Sequence, residues 1–318
     1  MRYSGIGGQA VMEGVMMKNQ EKCAVAVRKP DQEIAVEIIE YKGIVNNQTI
    51  RNLPIVRGVC SFVESLTLGM KTLTFSASFF EDEEEKKESQ AVQGEKDTAG
   101  RTEKEKKRED AMMGGTVVLS IILAVAIFMV LPYYISVFFQ RIIGSQTVIA
   151  LLEGVLRLAI FIGYVALISL MPDIKRVYMY HGAEHKCINC IENGLELTVE
   201  NVRKSSKQHK RCGTSFLLIV MLISIIFFLF IRVDSGWLRL LLRLLLIPVI
   251  AGVSYEFIRL AGRSDHAVVN ILSKPGMWLQ KLTTREPDDS MIEVGIASVE
   301  AVFDWRTYIK EIGQEENR

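Results

Sequence analysis

Four blocks of the chain, residues 115–139, 147–171, 213–232 and 237–258, stay apolar over about twenty residues or more. A run of that length crosses the hydrocarbon core of a bilayer as one α-helix. Mean hydropathy is +0.21 and 49% of the 318 residues are hydrophobic, yet 24% are charged, so the two kinds of residue are segregated along the chain. The pattern predicts an α-helical integral membrane protein with about four transmembrane helices, whose first partner is the lipid bilayer.

The distribution of charge predicts the topology. Lys104, Lys106, Lys107 and Arg108 precede the first block. Lys175, Arg176, Lys186, Arg203, Lys204, Lys207, Lys210 and Arg211 crowd residues 172–212 between the second and third. The other two connections offer only Arg141, and Arg232 with Asp234. Positive residues stay inside, so a multi-pass cell-membrane protein with both termini and the 172–212 loop in the cytoplasm is expected. No secretory signal pattern opens the chain. An odd set of cysteines (Cys23, Cys60, Cys187, Cys190, Cys212) on the reducing side points away from a disulfide framework and toward metal binding or packing.

Residues 1–52 read as a cytoplasmic β-containing region, which makes the whole α+β. Gly5-Ile6-Gly7-Gly8-Gln9-Ala10 matches a dinucleotide fingerprint only formally, because no strand can precede it. Cys23–Arg28 and Glu33–Glu40 alternate around Lys29-Pro30-Asp31-Gln32 as a hairpin does. Glu13 is either a solvated strand residue or a group reaching a site. Residues 53–80, with Arg57, Ser61, Glu64 and Lys71 on one face, suit an amphipathic interfacial helix. Residues 81–110 are about two-thirds charged and read as a flexible linker. Transmembrane helices 1 and 2 fall in 115–171, with Pro132 as a kink, and helices 3 and 4 in 213–260. Glu153, Arg157 and Arg243 come at similar depth, as an ion pair between helices or as a transport pathway. Residues 261–318 form a cytoplasmic C-terminal segment with a turn at Pro275-Gly276 and an amphipathic helix from Ser290 to about Ile312, opened by a capping box. No repeat, P-loop, nucleophile elbow or nucleic-acid motif is present.

The chemistry concentrates in Tyr180-His181-Gly182-Ala183-Glu184-His185-Lys186-Cys187-Ile188-Asn189-Cys190 and in His209-Lys210-Arg211-Cys212. On a helix, His181, Glu184 and His185 share one face as an H-x-x-E-H pattern. Two imidazoles can then hold a zinc ion while the glutamate takes a proton from water on it. A third ligand must come from elsewhere: His209 or Cys212, or after them Cys190. Three readings stay open at this point, namely a catalytic metal, a fully ligated structural metal and no metal. His266, beside Asp265, reads as a turn residue.

Gly7-Gly8-Gln9-Ala10-Val11-Met12-Glu13-Gly14-Val15-Met16-Met17, the Tyr180–Lys186 stretch, Leu195–Val202, His209–Gly213 and Leu282-Thr283-Thr284-Arg285-Glu286-Pro287 resemble the signatures of the YqhQ family of bacterial membrane proteins. The resemblance covers nearly the whole chain outside 81–110. Members are described only as predicted metal-dependent enzymes of unknown function. It implies His181, Glu184, His185, His209 and Cys212 as the site, and Cys187 as no part of it. The leading expectation is a zinc-dependent hydrolase at the cytoplasmic membrane face, with His181, His185, His209 and Cys212 as the metal set and Glu184 as general base. The alternatives are a metal-stapled or metal-free scaffold that binds a cytoplasmic protein, and a small transporter.

Overall fold

A computed structural model describes residues 3–40, 43, 45, 49, 52–91, 103–231, 233, 235–264 and 266–316. The chain is mostly helical, with one four-stranded antiparallel sheet at its N-terminal end. The strands are β1 (Ile6–Val11), β2 (Gly14–Asn19), β3 (Lys22–Arg28) and β4 (Ile34–Glu40), in the order of the chain. The β3–β4 pair is the expected hairpin, with Arg28 opposite Ile34. β1 and β2 join through Met12 and Glu13, and Glu13 takes a left-handed φ of 49°. At Gly14 an added Cβ would lie 2.5 Å from the Ala26 carbonyl, so only glycine lets β2 approach β3 there.

The β3 core reads Cys-Ala-Val-Ala-Val, and both of its faces are buried. Cys23, Val25 and Val27 pack against Leu68 and Phe75 of α1 (Val56–Ala91). Ala24 and Ala26 join Met291, Ile292 and Val299 of α10, whose range is Asp289–Val302. A short apolar run without strict alternation is the mark of a strand covered on both sides.

The first apolar block forms α2 (Glu103–Val125), a π-helical turn at Ala126–Val130 and α3 (Leu131–Phe139). The second forms α4 (Gln146–Ile168), the third α7 (Gly213–Leu229) and the fourth α8 (Gly236–Arg263). Three of these are long and apolar enough to cross a membrane: Gly114–Phe139, Gln146–Ile168 and Gly236–Arg263. Among the described residues the third block, α7, is a shorter apolar helix of 17 residues, at the lower limit of what crosses a hydrocarbon core. The four expected spans thus stand as three helices of spanning length and one shorter one.

The irregular turn in the first block has a local cause. Pro132 lacks an N–H, so the Phe128 carbonyl loses its donor four residues on. Arg157 Nε of α4 donates to that oxygen at 3.0 Å. Arg157 Nη2 also reaches Glu153 Oε1 at 3.0 Å, and Arg243 Nη1 of α8 pairs with the same oxygen. The cationic partner expected for Glu153 is therefore both arginines at once. α4 and α7 meet closely at Gly154, where a Cβ would lie 2.7 Å from Ile225.

Several sequence expectations shift. The helix expected over 53–80 runs on to Ala91 and another begins at Glu103, so the expected linker is helical at both ends. Glu and Lys are strong helix formers, which overrides the argument from charge. Residues 92–102 lie outside the described residues. Pro275 and Gly276 are inside α9 (Ala267–Thr283) and make no turn, and Gly276 brings that helix against Ser215 of α7. The C-terminal helix is capped by Asp288 accepting from Met291 N at 3.0 Å, not by Ser290. It stops at Val302, and Asp304 accepts from Thr307 N at 3.1 Å as α11 (Trp305–Glu316) begins.

Candidate metal centre

The expected loop of residues 172–212 is largely helical. α5 (Pro172–Glu192) follows α4 after three intervening residues, with Pro172 in its first turn, and α6 (Val199–Lys204) comes next. Helical spacing on α5 puts His181, Glu184, His185, Ile188, Asn189 and Glu192 on neighbouring faces. Cys212 arrives from the other side as the N-cap residue of α7.

The potential ligand atoms of His181, His185 and Cys212 all lie within 4.8 Å of one another. Tetrahedral zinc with nitrogen and sulfur ligands needs separations of roughly 3.3–3.6 Å, so a small rearrangement, mostly inward, admits an ion. Both imidazoles are oriented from behind. His181 Nδ1 donates to the Thr283 carbonyl at 2.8 Å and His185 Nδ1 to the Lys207 carbonyl at 2.7 Å. A carbonyl only accepts, so each Nδ1 carries a proton and each Nε2 faces the cluster. That is the outer support typical of metal-binding histidines. His181 Nε2 comes 3.2 Å from Cys212 Sγ, and Thr214 Oγ1 lies 3.1 Å from the sulfur.

The electrostatics fit the same chemistry. Burial works against a charged Cys212, but His181 and His185 override it and hold the thiol well below its ordinary range. Burial also opposes a charged His181, while the Cys212 thiolate lifts its pKa to about 9. Glu184 is buried, which raises its carboxyl above the ordinary range, with His185 and His181 pulling it back. Its Oε2 sits 3.8 Å from His181 Nε2, and it falls outside the three-residue group.

The chain builds this site from three distant segments. β1 lies on α5 at Gly8, where a Cβ would stand 2.8 Å from Glu184 Cγ, and the Gly8 backbone bonds the Glu184 carboxylate. This gives the N-terminal glycine motif a role that spacing alone could not assign. Residues 282–287 cross α5 at Gly182, where an added Cβ would strike the Arg285 carbonyl oxygen. The segment before Cys212 is held by its own carbonyls. Lys186 Nζ donates to Arg203 O at 2.7 Å and Ser205 O at 2.9 Å, and Asn189 Nδ2 to Ser206 O at 2.6 Å and Gln208 O at 2.9 Å.

His209 lies outside this three-residue group. Its ring centroid is 5.8 Å from that of His185, and its Nε2 lies 3.4 Å from Glu192 Oε2. Gln280 fixes its backbone on both sides, at 2.9 Å to its N–H and 2.7 Å to its carbonyl. Glu192 also accepts from Arg211 Nη2 at 2.5 Å and from the Ser4 hydroxyl at 2.7 Å. Burial opposes ionisation of Glu192, yet His209, Arg211 and Ser4 hold its pKa at about 2. The sequence reading missed Glu192; its only signal was its place seven residues, two helical turns, beyond His185. Cys187 is packed against Gly295, and Cys190 Sγ lies 3.4 Å from the Glu196 carbonyl, so both stand apart from the three-residue group. Glu13 pairs with Arg176 and accepts from Tyr180 OH at 3.2 Å, on α5 but short of the cluster. His266 caps α9 by accepting from Val268 N at 3.4 Å.

The chain matches the family described as "Protein of unknown function (DUF1385)" over residues 53–305. It is similar to the "Uncharacterized protein YqhQ" of Bacillus subtilis (strain 168), at 35% identity over 293 residues, which is 92% of this chain and 90% of that protein. No solved structure matches the chain significantly.

Proposed function

Because the chain belongs to the DUF1385 family, to which the YqhQ resemblance pointed and which is described as of unknown function, we propose its activity from its own residues: a zinc-dependent hydrolase at the cytoplasmic face of the cell membrane. His181, His185 and Cys212 hold the metal and Glu184 is the general base. The observation that carries this reading is the paired Nδ1–carbonyl bonding, which turns both Nε2 atoms toward a cysteine held well below its ordinary pKa. Two imidazoles and a thiolate form a borderline-soft donor set suited to zinc. Three protein ligands leave a fourth position, which separates a catalytic site from a closed structural one.

A bound zinc ion would supply Lewis acidity toward a carbonyl or phosphoryl group and would acidify water at its open position. One thiolate lowers the ion's net charge, so a separate base gains importance. Glu184 supplies it. Burial already lifts the Glu184 carboxyl, the direction a proton acceptor working near neutrality needs. The bond from Gly8 fixes that carboxylate, and Thr283 and Lys207 keep the imidazoles from rotating. The membrane placement rests on the three span-length helices and on the Lys and Arg excess of residues 172–212.

Metal analysis of the purified protein tests the core of this proposal. Wild type should carry about one zinc per chain, His185→Ala and Cys212→Ala little. Cobalt exchange should give a thiolate charge-transfer band that Cys212→Ser abolishes. Glu184→Gln should keep the metal and lose hydrolysis of a panel of esters, phosphodiesters and amides. A Glu184→Gln variant that retains both metal and turnover refutes the general base. Wild type that binds zinc but hydrolyses nothing, with all four positions occupied by protein, makes the site a structural staple and the chain a scaffold. For the topology, Lys204→Cys should resist an impermeant thiol reagent in intact cells.

A further inference from the structure

The far end of the helix bundle carries a second concentration of chemistry. Glu153 and Arg243 each lie seven residues into their helices, about 10 Å from the helix starts. With Arg157 they place two guanidinium groups against one carboxylate, all nearly fully buried. Arg157 is fully engaged, since Nε bonds Phe128 O, Nη1 bonds Ser224 Oγ at 3.2 Å and Nη2 bonds Glu153. Arg243 is not. It is 3% exposed, it gives Nη1 to Glu153, and its buried Nε has no partner. Phe228 and Tyr133 lie 5.0 and 5.6 Å from its guanidinium carbon and cannot accept that bond in a carboxylate's place.

A cavity of about 30 Å³ opens here, lined by Gln140, Gln146, Thr147, Glu153, Arg239 and Arg243 among others. Among the described residues that line it, the acid is Glu153, already claimed by two arginines. Gln146 and Thr147 form the first turn of α4, whose positive end faces the cavity. The enclosed interior holds about two waters, so a head group sits at its mouth and reaches in with one or two oxygens. The surrounding surface is apolar: Ile142 is 77% and Phe230 81% exposed, and Phe138 and Trp237 are exposed beside them. An unspent buried positive charge, donors on three sides and an apolar rim define an acidic amphiphile.

We propose that this cavity binds a phosphate-bearing anion, and that its source is the head group of an acidic phospholipid. The inference rests on the membrane placement proposed above and is independent of the metal. The phosphate accepts from the Arg243 guanidinium, from the remaining nitrogen of Arg239, whose Nε and Nη2 bond the Val233 carbonyl, and from the amide side chains, while acyl chains lie along Phe138, Ile142 and Phe230.

The test uses the full-length protein in a neutral detergent, following the thermal unfolding midpoint with phosphatidylglycerol, phosphatidylcholine or inorganic phosphate. Phosphatidylglycerol should raise the midpoint saturably, with phosphatidylcholine having little effect. Arg243→Lys, which keeps the ion pair but loses Nε, should raise the half-saturating lipid concentration about tenfold, and Arg239→Gln should weaken it as well. Circular dichroism controls for folding of both variants. Inorganic phosphate that competes with the lipid supports the phosphate chemistry; phosphate that saturates without any lipid advantage supports the site with a soluble source. Equal stabilisation by both lipids with no phosphate effect overturns the site, as does phosphatidylglycerol binding unchanged in both variants. Recovery of the chain without detergent would instead overturn the membrane placement.

Discussion

Gly182→Ala separates two physical accounts by the sign of its effect. Gly182 lies in the middle of α5, where alanine in a bare helix is favoured over glycine by about 1 kcal/mol. In the folded chain the added Cβ would strike the Arg285 carbonyl oxygen, which is backbone and cannot swing aside. Residues 282–287 must therefore back away. Overpacking of this kind costs about 1–3 kcal/mol. The Arg285 N–H bond to the Tyr178 carbonyl, 2.8 Å long, is lost with it, adding about 1 kcal/mol. After subtracting the helix-propensity gain, the expected outcome is destabilisation by about 1–3 kcal/mol. The same displacement carries off the Thr283 carbonyl that orients His181, so zinc affinity should fall about 10- to 100-fold, the usual range for lost outer support. Both quantities are accessible in detergent, by equilibrium denaturation of the metal-free protein and by zinc competition against a chromogenic chelator. A Gly182→Ala protein as stable as wild type, with unchanged zinc affinity, would refute the close crossing of α5 by residues 282–287.

Three further outcomes follow from the geometry. Lys186→Met strips the Arg203 and Ser205 carbonyls of a buried charged donor and should cost about 3–5 kcal/mol, with faster proteolysis near residues 203–208 as the readout. The Glu192 carboxyl is held at about 2, below its unfolded value of about 4.3. Its stabilisation is therefore complete above pH ~5 and disappears as pH falls through about 2, an effect of about 3 kcal/mol. Acid denaturation of metal-free Glu192→Gln should lack that slope, and an identical slope would show that Glu192 is not the group responsible. Glu153→Leu leaves Arg157 and Arg243 buried without their carboxylate and should lower stability by about 3–5 kcal/mol. Adding Arg243→Met should recover part of the loss, and no recovery would mean the arginines are not coupled through Glu153.

The apolar blocks and the histidine spacing were legible because each is a local property. Twenty apolar residues make a helix wherever they lie, and His181 and His185 share a face on any helix. The choice between His209 and Cys212 was not legible. It depends on how Gln280 pins His209 and how carbonyls bonded by Lys186 and Asn189 shape the intervening chain. Those bonds use backbone atoms, and backbone atoms leave no trace in residue identity. The same holds for α7, whose apolar block outlasts its helix because the chain turns at Phe230. Capping misled where two acceptors competed, since Asp288 and Ser290 both precede Met291 and only the first reaches its N–H. The arginine cluster was legible in part: shared depth predicted the ion pair, but the Phe128 carbonyl freed by Pro132 became visible only in three dimensions.

The placement of Cys212 has a mechanical consequence. It caps α7, while His181 and His185 ride on α5, which leaves α4 after a three-residue turn. α4 and α7 touch at Gly154 and Ile225 and are tied on the metal side of that point by Arg157 to Ser224. The two helices thus lie like the arms of a pair of tongs that cross at Gly154. An ion gripping both histidines and the thiolate latches the handles. That latch would add to a seam already closed on the metal side by Phe161 and Val165 against Leu218.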